Sequence, residues 1–213
     1  MNEHQAVILF DIDRTLFDTP YWAGELVNPA IAELLNVKVE ELLVVKNQYT
    51  DQLVKNTDFN PVDYLTHLSK VYARSIEELA QVFYQPAYFQ QAVYADVLPT
   101  LLVLRSQYQL GIFSEGDLDF QQTKLELSGL KSFFEPELHF IERRKEVPQV
   151  LQRLQPGWVI VEDKPEVITT LETQTQTLPI WINREAETEF TPQRQMTTLT
   201  ELPELASQLL SAL

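Results

Sequence analysis

No cysteine occurs anywhere in the chain, which excludes disulfides, thiolate zinc sites and a cysteine nucleophile together. Histidine is nearly as scarce, and His4, His67 and His139 stand too far apart to form a metal-binding pair. No run of about eighteen apolar residues is present, so the sequence offers no helix to cross a membrane. The opening Met1-Asn2-Glu3-His4-Gln5 lacks the basic stretch and apolar core of a secretory signal. Basic side chains are few: 16 Lys and Arg against 31 Asp and Glu leave a formal charge of −15. That surface repels a polyanion and forgoes counterion release, so nucleic acid is not expected as a partner. The same field opposes a phosphorylated ligand, so any anion site needs a local cation. These absences predict a cytoplasmic protein without nucleic-acid or membrane partners, and they leave the oligomeric state open.

What is present reads as a large globular chain. Its 213 residues are 45% apolar, enough for one large domain or a core with an insertion. Only five glycines occur, and no Gly- or Ser-rich linker divides the chain. Five short apolar runs read as strands: Ala6–Phe10, Leu110–Phe113, Leu138–Ile141, Trp158–Val161 and Leu178–Ile182. Each is continuous rather than alternating, the pattern of strands covered on both faces of a parallel sheet. Helical patterns separate the later runs, at Leu118–Ser128 with Asp117 as N-cap and Gly129 beyond its end, at Glu146–Gln155 and at Pro165–Thr173; Glu201–Leu213 closes the chain. Strand and helix in alternation predict an α/β fold, a doubly wound and mostly parallel sheet with right-handed crossovers.

The first crossover is different. Between about Phe17 and Ala95 only helical signals occur. Asn28-Pro29 and Asn60-Pro61 each place a capping residue before a proline suited to the first turn. Ser75-Ile76-Glu77-Glu78 is a capping box, and Leu42, Val45, Tyr49 and Leu53 recur at helical spacing. A stretch this long exceeds an ordinary connection. The expected organisation is an α/β core of residues 1–16 and 96–213, with a helical cap over residues 17–95 closing on a site at the strand ends.

Ligands of open α/β sheets bind beyond the carboxyl ends of the strands, and acids collect there. Asp11 and Asp13 follow the first strand, where two like charges resist joint ionisation unless a cation intervenes. Mg²⁺ suits such a pair, because it takes oxygen ligands and retains waters that a phosphate can replace. A carboxylate can also serve as nucleophile, and a neighbouring acid can protonate a leaving group and later activate water. Ser114 follows the second strand, Glu162-Asp163 the fourth, and Lys145 stands at the head of the helix before strand four. Nucleophile, hydroxyl, lysine and acid pair are the parts that phosphoryl transfer needs.

In this order they resemble the haloacid dehalogenase (HAD) superfamily, a group of aspartate-nucleophile hydrolases. Phe10-Asp11-Ile12-Asp13-Arg14-Thr15-Leu16 resembles its first motif, Ile112-Phe113-Ser114 its second, Lys145 its third and Val161-Glu162-Asp163 its fourth. The stretch Gly111 to Leu130 resembles the segment that follows the second motif, and the helical insertion resembles a C1-type cap. The resemblance implies a HAD-like Rossmannoid core and Mg²⁺-dependent hydrolysis of a small phosphorylated metabolite. Asp11 would be nucleophile and metal ligand, and Asp13 general acid/base with its backbone carbonyl on the metal. Asp163 would complete the metal site. Thr15 would orient the first loop, Ser114 would hold the phosphoryl group and Lys145 would balance charge. Family members that cleave carbon–halogen bonds lack the second aspartate, so Asp13 points away from dehalogenation.

Some residues depart from the family pattern. Arg14 stands where glycine is commonest, either reaching the substrate or pairing with a surface acid. Glu115 adds a negative charge beside Ser114. Glu162 is either a second metal ligand or an outer partner, and Glu166 is another acid nearby. Arg143, Arg144 and Lys164 rival Lys145 as the charge-balancing cation. Trp22, Tyr21 and Phe17 line a pocket or pack between cap and core, while Tyr84, Tyr88, Phe89 and Tyr94 read as core. Two other functions fit the same residues: a phosphomutase, and a catalytically idle relative that binds a ligand or a protein.

Overall fold

The computed structural model describes residues 6–186 and 189–211. Met1–Gln5, and the last two residues of the helix expected at Glu201–Leu213, lie outside them. Six parallel strands form one sheet in the order β3-β2-β1-β4-β5-β6. They are β1 (Val7–Phe10), β2 (Gln109–Glu115), β3 (His139–Glu142), β4 (Val159–Glu162), β5 (Leu178–Ile182) and β6 (Gln195–Met196). All five expected runs become strands. β6 is additional, a pairing of two residues too short to carry a pattern.

The continuous apolar runs follow from burial on both faces. Ile8, Phe10, Ile112, Val159, Val161 and Ile180 point into one cluster, shared with α7 (Val97–Leu104), α8 (Leu118–Leu127) and α11 (Leu202–Ser211). Val7, Leu9, Phe113, Phe140 and Ile160 point into the other, against α9 (Pro148–Leu151) and α10 (Pro165–Gln174). Gly111 permits a close approach within β2, because a Cβ there would sit 2.5 Å from the Leu138 side chain. The chain leaves β3 at one edge and returns as β4 on the far side of β1. That reversal opens a crevice at the carboxyl ends of β1 and β4, where Asp11, Glu162 and Asp163 stand.

Between β1 and β2 the chain is helical: α1 (Thr19–Tyr21), a π-helical stretch (Trp22–Val27), α2 (Asn28–Leu35), α3 (Val39–Thr50), a 3₁₀ turn (Asn56–Asp58), α4 (Pro61–Tyr72), α5 (Ile76–Phe83) and α6 (Pro86–Gln91). Asn60 caps α4 by accepting from the N–H groups of Val62 and Asp63, and Ser75 forms its capping box with Glu78. Asn28 is not a cap. It lies inside continuous helix, because Pro29 withholds a donor and the ladder adjusts by a bond from Asn28 N to Ala23 O. The buried residues of these helices join the first core cluster, so they and the sheet share one apolar interior.

Asp117 caps α8 by accepting from Phe120 N, as expected. The helix expected over Glu146–Gln155 shrinks to the four residues of α9. Pro148 supplies its first turn and forces Val147 into extended backbone, which excludes the residues before it. Lys145 is therefore in the preceding turn and not at a helix head. Among the described residues no helix is long and apolar enough to cross a membrane.

Candidate active site

Asp11 continues the pairing of β1 with β4 through its N–H, which donates to Val161 O at 2.9 Å. Its side chain is nearly buried, and Oδ1 accepts from Lys145 Nζ at 2.8 Å. The fully buried Lys145 also donates to Glu162 Oε2 at 2.5 Å, so one ammonium spans two carboxylates. Glu162 Oε1 accepts from Lys164 N at 3.1 Å. Oxygens of Asp11, Glu162 and Asp163 all lie within 4.8 Å of one another. Burial pushes the Glu162 carboxyl well up, against the pull of Lys145 and with Asp11 and Asp163 adding to it. Burial and the charge of Asp11 push Asp163 up to about 7. Burial works against the charge of Lys145, but Asp11 and Glu162 outweigh it and hold its pKa above the ordinary value.

This cluster fits a hard divalent cation. Asp163 Oδ1 is buried and has no hydrogen-bond partner among the described residues, and a buried carboxylate oxygen left unpaired is costly. Three carboxylates facing one ammonium leave a surplus of negative charge that an oxygen-seeking ion would offset. Glu162 belongs to this cluster, while the Asp13 side chain does not.

Asp13 is held elsewhere. Its Oδ1 accepts from Lys124 Nζ at 2.5 Å and from the Thr19 hydroxyl, and its Oδ2 accepts from Gln121 Nε2 at 2.8 Å. Burial alone would raise its pKa, but Lys124 and these hydrogen bonds outweigh that and hold Asp13 below its usual value. Gln121 also donates to Glu115 O at 2.9 Å and to Ser114 Oγ at 3.4 Å, tying the end of β2 to the Asp13 loop. No motif in the sequence marks Thr19, Gln121 or Lys124 for this role. One signal does exist: Phe120, Gln121, Lys124 and Leu125 form the buried stripe of α8, where a glutamine and a lysine are out of place unless they have partners.

The remaining predicted residues separate. Of the four candidate cations, Lys145 is the one in contact with Asp11. Arg143 pairs with Asp117 and Asp58, Arg144 with Asp58, and Lys164 with Glu115. The charge of Glu115 is thus met by Lys164 Nζ at 3.1 Å. Ser114 is fully buried. The Thr15 hydroxyl is buried without a partner among the described residues, and the Thr15 carbonyl accepts from Arg184 at 2.7 Å. Arg14 pairs with Glu185 at 3.3 Å, the surface-acid alternative of the two expected for it, and is not among the residues that line the cavity at the strand ends. Its backbone has φ of 59°, which is why glycine suits this position. Glu166 is exposed and outside the acid cluster.

A cavity of about 460 Å³ reaches from the helices between β1 and β2 to the carboxyl ends of the strands. Asp11, Asp13, Gly116, Lys124 and Lys164 line its core side; Trp22, Val27, Lys46, Phe59, Tyr64 and Phe83 line the other. Trp22 both lines it and packs against Phe17, Phe83 and Phe89, while Phe17 itself is wholly buried.

The chain belongs to the haloacid dehalogenase-like hydrolase family, whose model matches residues 8–151, more than half of its length. Solved structures of low identity share the fold. A candidate haloacid dehalogenase-like hydrolase from Burkholderia xenovorans is 19% identical with a TM-score of 0.68, covering 97% of this chain and 99% of that one. A candidate HAD-hydrolase from Bacillus subtilis, solved bound to magnesium, is 19% identical with a TM-score of 0.65 over 96% and 99% of the two chains. A 2-haloacid dehalogenase from Pseudomonas syringae is 20% identical with a TM-score of 0.61 over 95% and 98%. No curated protein sequence matches.

Proposed function

We propose that this hydrolase removes the phosphoryl group of a small phosphomonoester in two steps, with Mg²⁺ bound by Asp11, Asp163 and either Glu162 or the backbone of Asp13. The observation that carries the reading is Asp11 itself, a nearly buried carboxylate fixed by Lys145 at the edge of a cavity and clustered with two further acids. When bound, the ion would neutralise charge on the phosphoryl oxygens. An Asp11 carboxylate oxygen attacks phosphorus, the ester P–O bond breaks, and the leaving oxygen takes a proton from Asp13. Asp13 then takes a proton from water as that water attacks the phosphoryl group, and Asp11 is released as carboxylate with inorganic phosphate. Lys145 limits the repulsion between Asp11 and the incoming phosphate.

The Lys124 pair favours ionised Asp13, the form that the second step uses. The first step needs the same carboxyl protonated, so esters with good leaving groups, p-nitrophenyl phosphate among them, are expected to react fastest. Mg²⁺-dependent phosphate release from such esters is the expected result, with loss of about 10³-fold or more in Asp11→Asn. A panel of sugar, nucleotide and carboxylic-acid phosphates that stays inert with Mg²⁺ would sink the proposal. Halide release from a 2-haloacid would replace it with dehalogenation, a reading that the apolar cavity wall favours and the presence of Asp13 opposes.

A further inference from the structure

We infer that Lys46 reads a second anionic group on the substrate, so that the preferred compound carries a carboxylate or similar anion on an apolar body; the inference rests on the phosphatase reading above. Three lysines line the cavity: Lys46, Lys124 and Lys164. Lys124 is committed to Asp13 at 2.5 Å and Lys164 to Glu115 at 3.1 Å. Lys145, outside the lining, is shared by Asp11 and Glu162. Arg143 and Arg144, on the turn after β3, pair with Asp58 and Asp117. Lys46 is the exception. Among the described residues no carboxylate pairs with it, and burial alone acts on its pKa, lowering it, without a charge from any acid.

Among the lysines that line the cavity this sets Lys46 apart, in a chain of charge −15 where acids outnumber bases almost two to one. A half-buried ammonium beside Trp22, Phe59 and Tyr64 loses part of its hydration without gaining a counter-ion. An anion entering the cavity supplies one. Thr50, one helical turn beyond Lys46 on α3, lines the same wall and offers a hydroxyl beside it. The cavity surface is mainly apolar and aromatic, which matches a hydrocarbon or aromatic body in preference to a bare sugar. The phosphoryl group goes to Asp11, the body lies against the aromatic wall, and the second anion meets Lys46.

The test compares two phosphonates whose C–P bond resists hydrolysis: 4-(phosphonomethyl)benzoate, and benzylphosphonate, which lacks the carboxylate. Calorimetry with Mg²⁺ is expected to show the first binding the wild-type protein about tenfold tighter. Lys46→Met should abolish that preference, and Lys46→Arg should retain most of it. Equal affinity in the wild type, absence of binding by both, or equal weakening of both ligands in Lys46→Met overturns the inference. Turnover of p-nitrophenyl phosphate is read separately. Turnover without discrimination removes only the role of Lys46, and discrimination without turnover removes only the phosphatase reading.

Discussion

Lys145 joins Asp11 to Glu162, and all three side chains are out of water. Removing one member of a buried ionic set leaves the others uncompensated. Lys145→Met should therefore cost about 3–5 kcal/mol in urea unfolding, and Mg²⁺ should recover part of it. Lys124 acts on Asp13 differently, because Thr19 and Gln121 remain as donors. The pKa of Asp13 is held down against burial chiefly by Lys124. In Lys124→Met it should rise, and the acidic limb of the pH–rate profile for the water-activating step should move to higher pH. An unmoved limb would show that Asp13 is not the base. Arg14 tolerates a left-handed backbone that costs a non-glycine residue about 1–2 kcal/mol, and its side chain pairs on the surface with Glu185.

The helices between β1 and β2 are tied to the α/β part by more than apolar packing. Asn60, the N-cap of α4, donates to Asp117, the N-cap of α8, at 3.0 Å. Arg144, after β3, donates to both oxygens of Asp58 at 2.8 and 2.9 Å and to the Thr57 hydroxyl at 2.9 Å. Both contacts lie beside the cavity, which Thr57 and Asp117 line. Arg144→Ala should raise KM several-fold and change kcat less, because it loosens one wall and leaves Asp11 and Asp13 in place. A fall in kcat with KM unchanged would instead tie the Arg144–Asp58 contact to the chemistry. At the other end of the same stretch, Arg184 clasps the Thr15 carbonyl and Asp96, joining the Asp13 loop to the start of α7. None of these pairs falls within a sequence motif, because each joins residues 57 or more apart in the chain.

Across the whole molecule acids outnumber bases, and three of them, Asp11, Glu162 and Asp163, meet at the strand ends. Asp163 is raised to about 7 by burial and by Asp11. A group raised in the folded state binds its proton more tightly there than in the unfolded chain, so stability falls as pH rises from about 4 through 7. A divalent cation in the cluster opposes that loss. Mg²⁺ should therefore raise Tm, more at pH 8 than at pH 5, with a smaller shift in Asp163→Asn. An equal shift at both pH values, or one unaffected by that substitution, would place the ion elsewhere.

Five of the six strands were legible because each is covered on both faces, and such strands must be apolar at every position. The first and fourth strands also announced Asp11 and Asp163, since site residues of this architecture follow the strand ends directly. Local chemistry set the caps at Asn60, Ser75 and Asp117. Pro29 and Pro148 are visible too, but their effects depend on the surrounding helix and turn, so the sequence pattern alone does not give the place of Asn28 or the length of α9. Only tertiary structure chose Lys145 over Arg143, Arg144 and Lys164, turned Arg14 outward, bound Lys124 to Asp13 and left Lys46 facing a cavity. A pattern in sequence records which face of an element is buried. It carries no record of which distant charge will stand opposite a given side chain, and in this acidic chain those pairings decide what each cation is free to do.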